Sequence, residues 1–412
     1  MTVTTVADTI NPSGGEWASL ATWIAACPAN LTTAEKSACT TFAVATFIEG
    51  ETLNFVGSGA VGKLLKTDST GIGTGTYMVY GITSGNPATS DVITGATSTA
   101  TCVLTSGTPT GVGVIYQGRV GNCELLTTSN TVSDCSIMGI TSSATCYVEL
   151  TADTGCSFVD NPNIRTTALA YNNSNYARCK HTGNNYALLY CTVGWTRINR
   201  LQFYEGINPD QVLYIGAGYS GAAVCWLDHL IVDGQNADNG AVVLINDAHK
   251  ITNSLVTNSY SSAANIAFMA DGATAHNCTF AKLGGVVANG LKTIVNYSAC
   301  GALENIFVGN CTTVTAPSAP ASITNCYTSA SGPPSGWSAA AFSTATFTNV
   351  TAGSQDFRLA AGSALIGAGV TDSVSGTYDI SGYAWASPPD VGCWQSPPAA
   401  VPKPNMLLDN IW

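Results

Sequence analysis

Two short apolar phrases follow each other between residues 250 and 285, and their polar corners recur in step. The first reads KITNSLVTNS and the second ATAHNCTFAKLGG, so aligning Asn253 with Asn277 brings Val256 opposite Phe280 at an offset of 24 residues. Short β-branched and aromatic runs that end at a polar corner indicate strands and turns. A repeat of this length predicts short strands that stack on those of the next repeat.

The same phrase recurs along most of the chain. Its anchor positions lie 20 to 29 residues apart and are Cys135, Cys156, Cys179, Leu201, Leu230, Ser254, Cys278, Ile306 and Cys326. Such variable spacing suits strands that stay in register while the corner loops between them change length. The pattern predicts an all-β fold, a parallel β-helix (a solenoid) of about nine coils.

The pattern changes at both ends, which divides the chain into four predicted parts. Residues 1–56 form an N-terminal cap with a short helix, and residues 57–118 form a small β-module rich in Gly and Thr. The parallel β-helix occupies residues 119–331, and a closing segment with a Pro-rich arm occupies residues 332–412.

Apolar residues in the predicted cap follow helical spacing. The residues that would share one face of the helix are Trp17, Leu20, Trp23, Ile24 and Cys27, at the intervals that the 3.6-residue period of an α-helix brings together.

A second short turn is predicted to begin at Thr32 or Thr33 and to run through Cys39, because threonine can cap a helical turn. The cap would cover the apolar core and the unpaired strand edges at the open end of the stack. The alternative is that it docks onto a partner through Trp17 or Trp23.

The chain carries few charges. Only 9% of its residues are charged, against roughly a quarter in ordinary globular domains. The formal net charge is -11 and no cluster of Lys and Arg occurs, which argues against binding to nucleic acid. No apolar run approaches the ~18 residues of a membrane span, and the first residues lack the features of a signal peptide. We expect a soluble protein, made in a cytoplasm, that binds neither nucleic acid nor a membrane.

Five of the 15 cysteines lie at the anchor position, namely Cys135, Cys156, Cys179, Cys278 and Cys326, and Ser254 takes the same place in another repeat. Stacked anchors would form a structural ladder inside the fold, where cysteine acts as a small buried apolar side chain. Neighbouring strands lie about 4.8 Å apart, so an oxidising environment would allow disulfides. No C-x-x-C pair occurs, which argues against a zinc or thioredoxin-type site.

Asparagines precede several anchors. Asn253, Asn277, Asn305 and Asn325 are predicted to form a hydrogen-bonded ladder at the bends, because asparagine tolerates the left-handed backbone conformation of a corner. These residues are assigned a structural role, and no cofactor and no metal is expected.

The segment GGEWASLATWIAACPANLTTAEKSACTTFAVATFIEGE resembles one that opens many phage-encoded β-helix proteins. In those proteins a short helix with Tyr or Trp precedes PA-(N/D)-L-T-x-A-(D/E) and a strand that ends in Gly-Glu. The matching residues are Pro28, Ala29, Asn30, Leu31, Thr32, Ala34 and Glu35, followed by Glu49, Gly50 and Glu51. This resemblance implies a virion-associated β-helix rather than a particular activity.

A second resemblance lies near the end of the chain. The stretch GSQDFRLAAGSALIGAGV, with the later DVG, is similar to the closing segment of many right-handed β-helix proteins, D-(F/Y)-x-L-x-x-G-S-P-A-I-(D/N)-x-G followed by D-(I/V)-G-A. The matching residues are Asp356, Phe357, Leu359, Gly362, Ser363, Ile366, Gly369, Asp390, Val391 and Gly392. Ala364 stands in place of the usual Pro, and Gly367 in place of the usual Asp. The resemblance implies a right-handed parallel β-helix.

The chain ends in SPPAAVPKPNMLLDNIW, which is Pro-rich and then apolar. Pro-rich segments are extended and do not join a central strand ladder. We predict an arm that packs through Leu407, Leu408, Ile411 and Trp412 onto a neighbouring subunit or another virion protein.

Proteins with this predicted fold include polysaccharide-cleaving enzymes, whose signal would be two carboxylates within about 5–10 Å. The candidates are Asp228 and Asp233 with His229 between them, and Asp247 and Asp271 further on. The N-T-D, D-D and G-H-G motifs of polygalacturonases are absent, and basic residues are too few for a pectate-lyase-like calcium site. We interpret Asp228 and His229 as a corner pair and predict no enzymatic activity.

The first of these resemblances implies a bacteriophage virion structural protein. The favoured hypothesis is a capsid decoration or cement protein, a homotrimer on the head surface that contacts the major capsid protein and stabilises the capsid. One alternative is a tail fibre or spike that binds the host surface, and another is a polysaccharide-degrading tailspike. The chain shows no heptad repeats and no distal receptor domain of the kind that fibres carry, which favours decoration.

Overall fold

The structure is a computed structural model. It describes residues 2–396 except 44, 68–76, 106–109, 128–134, 183–186, 206–210, 217–223, 235–240, 246–247, 259–265, 270–271, 284–293, 296–300, 311–321, 334, 352 and 372–377.

The elements described before residue 121 are a short helix and strands of 4 to 11 residues. They are β1 (Thr2–Ile10), α1 (Leu20–Ala26), β2 (Ala34–Ala43), β3 (Thr52–Val56), β4 (Val61–Thr67), β5 (Tyr77–Ser84), β6 (Val92–Gly95), β7 (Thr101–Leu104) and β8 (Thr110–Val120). The side chain of Ser19 caps α1 by accepting a hydrogen bond from Thr22 N, and Pro28 follows the end of the helix. Within the described part of the chain, no helix has the length and apolar character of a membrane span.

Strands β2 to β7 form a closed six-stranded antiparallel barrel. The pairing order is β2, β5, β4, β3, β6 and β7, and β7 pairs back onto β2. Along β3 exposed and buried residues alternate, with Leu53 and Phe55 buried, as expected for a strand with one face in a core. These side chains pack with Leu64, Tyr80 and Ile93 inside the barrel.

The strands that follow have two to five residues each and are mostly parallel. They are β9 (Glu124–Thr127), β10 (Ser136–Ile137), β11 (Val148–Ala152), β12 (Arg178–His181), β13 (Leu189–Cys191), β14 (Thr196–Asn199), β15 (Gln202–Glu205), β16 (Leu213–Ile215), β17 (Trp226–Asp228), β18 (Ile231–Asp233), β19 (Val242–Leu244), β20 (Lys250–Thr252), β21 (Leu255–Asn258), β22 (Ala267–Met269), β23 (Thr274–His276), β24 (Thr279–Lys282), β25 (Ile294–Val295), β26 (Ala302–Glu304), β27 (Phe307–Gly309), β28 (Ser322–Thr324), β29 (Cys326–Thr328), β30 (Trp337–Ala339), β31 (Phe347–Asn349) and β32 (Asp356–Leu359). A 3-10 turn covers Phe158–Asp160.

Three sets of these strands pair in parallel. The first sheet runs β8, β11, β14, β17, β20, β23, β26 and β28, and β1 also pairs with β8. The second sheet runs β10, β13, β16, β19, β22 and β25, and the third runs β9, β12, β15, β18, β21, β24, β27, β29 and β30. Strand β8 also pairs antiparallel with β2, so it connects the barrel to the first sheet.

The strand pairing confirms the register that the sequence doublet predicted. Strands β21 and β24 pair in parallel with Leu255 opposite Thr279 and Val256 opposite Phe280.

Two apolar cores meet the third sheet from opposite faces. Phe203, Val232 and Val256 point into the larger core, which also receives the inward residues of the first and second sheets. Ile231 and Leu255, their neighbours in the chain, point into a second core. Burial on both faces explains why each of β18 and β21 begins with two adjacent apolar residues rather than with an alternating pattern.

The closing part of the chain supplies the other half of the second core. Phe347, Phe357, Leu365, Val391 and Trp394 pack there with residues of the third sheet and of the 158–169 loop. Strands β31 and β32 form a two-stranded antiparallel sheet in this part. The closing segment therefore lies along a face of the third sheet.

The predicted right-handed parallel β-helix of about nine coils is wrong as a description of this chain. The strands after residue 121 do pair in parallel, but the fold combines those sheets with a closed antiparallel barrel and a further antiparallel sheet. The barrel draws β2 and β3 from the predicted cap and β4 to β7 from the predicted module. Its strands close on one another instead of stacking on the repeats that follow.

The predicted helical turn through Cys39 is also wrong, because residues 34–43 form β2. That strand pairs with β5, β7 and β8, and these partners satisfy its backbone groups better than an isolated helical turn would. The predicted helix around Trp23 is confirmed as α1, although Trp17 lies before it and Cys27 is its C-terminal cap.

Candidate functional site

A surface pocket of about 440 Å³ opens where the barrel meets β1. Its lining combines aromatic, apolar and charged side chains, namely Glu16, Trp17, Phe47, Ile48, Glu49, Lys66 and Thr67. Concave sites with a few converging polar groups are the usual places for ligands and chemistry, so this pocket is the candidate site.

Local backbone structure fixes Trp17 at the pocket. Its backbone N–H donates to the carbonyl of Thr9, and its own carbonyl accepts from the N–H of Asn11. The indole ring lies against Gly50, where the backbone has a φ of 79° and an added Cβ would come within 2.7 Å of the ring. A glycine is required there both for the left-handed backbone and for the close approach of the ring.

Three carboxylates surround one ammonium group in this pocket. Lys66 Nζ lies 2.9 Å from Glu49 Oε1, 3.0 Å from Glu16 Oε1 and 3.7 Å from Asp8 Oδ1. The other oxygen of Asp8 accepts a hydrogen bond of 3.2 Å from Trp17 Nε1. We call Asp8, Glu16, Glu49 and Lys66 the Lys66 cluster.

Burial changes the acidity of the groups in the Lys66 cluster. It raises the pKa of Glu49 to about 7, although Lys66 opposes the shift. Burial likewise raises the pKa of Asp8, again against the attraction of Lys66. Burial alone would lower the pKa of Lys66, but its bonds to Glu49 and Glu16 outweigh burial and raise it. The cluster therefore keeps its lysine charged and exchanges a proton near neutral pH.

The geometry limits what the Lys66 cluster can do. Oxygens of Asp8, Glu16 and Glu49 lie within 4.8 Å of one another, close enough to share a cation. The ammonium group of Lys66 is the cation that these three carboxylates share. Because Asp8 belongs to β1 and Lys66 to β4, the cluster ties the barrel to the first sheet.

The residues predicted for the cysteine ladder lie in different strand columns of the structure. Hydrogen bonds between successive strands place Leu201, Leu230, Ser254, Cys278 and Ile306 in one column.

Cys326 follows Ile306 in that column, because Tyr327 N donates to the carbonyl of Ile306. Cys179 instead pairs with Phe203, and Cys135 adjoins β10 in the second sheet. Cys156 is partly exposed, whereas the other four predicted ladder cysteines are buried.

The predicted corner asparagines share one backbone conformation. Asn253, Asn277, Asn305 and Asn325 have φ values of 47°, 51°, 51° and 48°. Asn305 Nδ2 donates to Asn277 Oδ1 at 2.9 Å, so this pair is directly linked. Asn305 also holds the closing segment, since its Nδ2 donates to the carbonyl of Val370 and its Oδ1 accepts from the N–H of the same residue.

Two of the carboxylates considered for catalysis, Asp228 and Asp233, lie in different sheets. Asp228 ends β17 in the first sheet, whereas Asp233 ends β18 in the third. Asp228 Oδ2 lies 2.6 Å from His229 Nδ1. Its Oδ1 accepts from Thr252 Oγ1 at 2.6 Å and from Asn253 Nδ2 at 3.0 Å. Both oxygens of Asp228 therefore already have protein partners.

Two further candidates, Asp247 and Asp271, lie outside the described residues. Asp233 is buried, which raises its pKa to about 6, and it accepts a hydrogen bond from Thr257 Oγ1.

Of the residues predicted to contact a partner, the structure describes Trp17 and Trp23. Trp23 is fully buried and stacks on Tyr116, with ring centroids 5.1 Å apart, so it belongs to the core and cannot be a docking residue. Trp17 is partly buried in the pocket wall. The predicted arm residues Leu407, Leu408, Ile411 and Trp412 lie outside the described residues.

The Lys66 cluster was not predicted from the sequence, because Glu49 and Lys66 come from segments far from Asp8 and no motif places the three together. The one available signal was the concentration of acidic residues at both ends of the predicted cap. Comparison with known proteins gives no match: no family model, no curated protein and no solved structure is significantly similar to this chain.

Proposed function

We propose that this protein is a structural component of a bacteriophage virion, most specifically a decoration or cement protein that stabilises the head surface. In this role it works as a homotrimer in contact with the major capsid protein. The protein contributes a rigid β-structure and the surface that contacts its neighbours, and it catalyses no reaction.

The observation that carries the proposal is that the candidate acid and base groups are held by other groups of the protein. In the Lys66 cluster one lysine joins carboxylates from segments on either side of the barrel boundary. Asp228 is similarly occupied by His229, Thr252 and Asn253. A general acid or base must be able to contact a substrate. Groups that are already bonded to other protein groups stabilise the fold and are poorly placed for catalysis.

The composition and the two end segments give independent support. Few charges and many small residues suit an outer-surface protein that resists proteolysis. The segment of residues 28–51 resembles one that opens many phage-encoded β-helix proteins. The closing segment around Phe357 and Val391 is packed into the second core, which leaves the residues after 396 as the part of the chain predicted to reach a partner.

Head stability tests the proposal. Particles assembled without the protein should release their DNA at a lower temperature than complete particles. Addition of the purified protein should restore the release temperature, and a variant that ends at residue 396 should fold but restore it less. Heads that show the same release temperature with and without the protein would contradict a cement function.

The two alternatives predict other results. A tail fibre or spike would bind host cells and block infection without changing the release temperature of the heads. A polysaccharide-degrading tailspike would release reducing ends or unsaturated sugars from host capsule, and Glu49→Gln or Asp228→Asn would abolish that release.

A further inference from the structure

Two buried cysteines face each other across the corner between the second and first sheets. Cys191 ends β13, and Cys225 immediately precedes β17. Arg197 pairs with Trp226 in the first sheet, so the parallel register brings Cys225 beside Thr196. Both thiols are almost completely buried, with exposures of 0% and 1%.

The two sulfur atoms share one hydrogen-bond acceptor. Cys191 Sγ lies 3.5 Å and Cys225 Sγ 3.1 Å from the carbonyl oxygen of Val193. Cys191 Sγ also lies 3.4 Å from Thr196 Oγ1, and that hydroxyl donates to the same carbonyl at 3.1 Å. Two thiols that compete for one oxygen are held close together in a polar niche of an otherwise apolar core.

The contact between the thiols also shifts their pKa values in opposite directions. The interaction with Cys225 lowers the pKa of Cys191, against the effect of burial. The same interaction, together with burial, raises the pKa of Cys225. A thiolate is the form that reacts with oxidants, so Cys191 is the first of the two to be oxidised.

We propose that Cys191 and Cys225 are a redox modification site, at which a peroxide converts the thiol pair to an intramolecular disulfide. Hydrogen peroxide oxidises the Cys191 thiol to a sulfenic acid and leaves as one water. The Cys225 thiol then attacks the sulfenic sulfur, the S–S bond forms and a second water leaves. In total, two thiols lose two electrons and two protons, and one peroxide is reduced to two waters.

Such a bond would join the second sheet to the first across two successive layers of strands. Covalent closure of the segment between residues 191 and 225 restricts the unfolded chain. Oxidation should therefore raise the melting temperature of the protein.

The barrel provides an internal comparison. Cys39 and Cys102 are both buried there, and their side chains interact. However, Cys39 pairs with Leu104, so Cys102 is its diagonal neighbour on the antiparallel partner. Diagonal neighbours have Cα atoms about 7–8 Å apart, beyond the range of about 4.4–6.8 Å for disulfides. This pair should stay reduced.

Peptide mapping distinguishes the two pairs. The folded full-length protein is treated with hydrogen peroxide, its free thiols are alkylated, and it is digested with trypsin without reduction. Cleavage at Lys and Arg places each of the four cysteines in a peptide with no other cysteine, namely 181–197, 201–250, 37–63 and 67–119.

The expected product joins peptides 181–197 and 201–250, is lighter than their sum by about two hydrogens and disappears on reduction. Cys225→Ser should remove this product and leave Cys191 as a sulfenic acid that dimedone traps. The circular dichroism spectrum of Cys225→Ser must match that of the wild-type protein. Alkylation of both cysteines after peroxide treatment of the wild-type protein would overturn the proposal, as would a cross-link at Cys39 and Cys102 with none at Cys191 and Cys225.

Discussion

Arg165 lies 3.2 Å from the fully buried carboxylate of Asp379, and this ion pair joins the 158–169 loop to the closing segment. The Arg165 guanidinium also lies over the rings of Tyr383 and Trp394, at 3.9 and 4.4 Å from their centroids. Asp379 accepts further hydrogen bonds from the backbone of Ser381, Tyr383 and Gln395. The Arg165 guanidinium thus contacts a buried carboxylate and two aromatic rings at one side of the second core.

Arg165→Ala should lower the free energy of unfolding by about 3 kcal/mol or more, because loss of one partner leaves the other charge buried and uncompensated. Urea denaturation measures this loss. The control is Arg119→Ala, whose ion pair with Asp153 spans 3.6 Å between side chains that are 28% and 29% exposed. That variant should lose less than about 1 kcal/mol, and equal losses in the two variants would contradict the assigned role of Arg165.

Glu49→Gln should change how stability depends on pH. The folded-state pKa of Glu49 is raised to about 7 from 4.5, so the folded protein holds a proton that the unfolded chain releases between these values. Its contribution to stability is therefore greatest below pH 4.5 and is lost as the pH rises towards 7. The variant should show a smaller loss of stability across this window in urea denaturation at several pH values.

Two comparisons complete the Glu49 experiment. Asp8, whose pKa is also raised by burial, should leave part of the slope in the variant. Thr67→Val alters the same pocket without removing an ionisable group, so it should keep the wild-type slope. A Glu49→Gln variant with the wild-type slope would show that Glu49 does not titrate in this window.

Asn305→Ala and Asn305→Gly should separate backbone strain from hydrogen bonding. Both variants lose the two bonds to Val370, so both should be less stable than the wild-type protein. Alanine should be worse than glycine by about 1 kcal/mol, because a Cβ is unfavourable in the left-handed region. Thermal melting ranks the three proteins, and an alanine variant as stable as the glycine variant would argue against strain at this corner.

Trp23→Ala and Trp17→Ala should have different effects on stability. Trp23 is fully buried against Tyr116, so its truncation should cost about 3–5 kcal/mol. Trp17 lies in the pocket wall and is partly exposed, so its truncation should cost clearly less. Chemical denaturation of both variants measures the difference, and the reverse order would contradict the assignment of Trp23 to the core.

The sequence predicted local pairing better than architecture. The doublet around Val256 and Phe280 specified a parallel register because both phrases share a corner at an equivalent asparagine. Barrel closure depends instead on the pairing of β2 with β7, far along the chain. No local pattern encodes such a partner, so the barrel was not predicted. The predicted β-helix is therefore wrong as a description of the whole fold.

Local sequence patterns also did not predict which core or cluster a side chain enters. Ile231 and Val232 read as one apolar run, yet they enter different cores, because the closing segment returns to cover the third sheet. The Lys66 cluster is assembled in a similar way, from Asp8 in β1 and Lys66 in β4. By contrast, the left-handed corners at Asn253 and Asn277 follow from the conformational preference of asparagine itself.

The most direct test of the proposed function is the position of the protein in an intact virion, determined by cryo-electron microscopy with immunogold labelling as a check. The account predicts regularly spaced density for this protein on the head lattice, in contact with the major capsid protein. Density confined to the tail, or none on the particle, would contradict it.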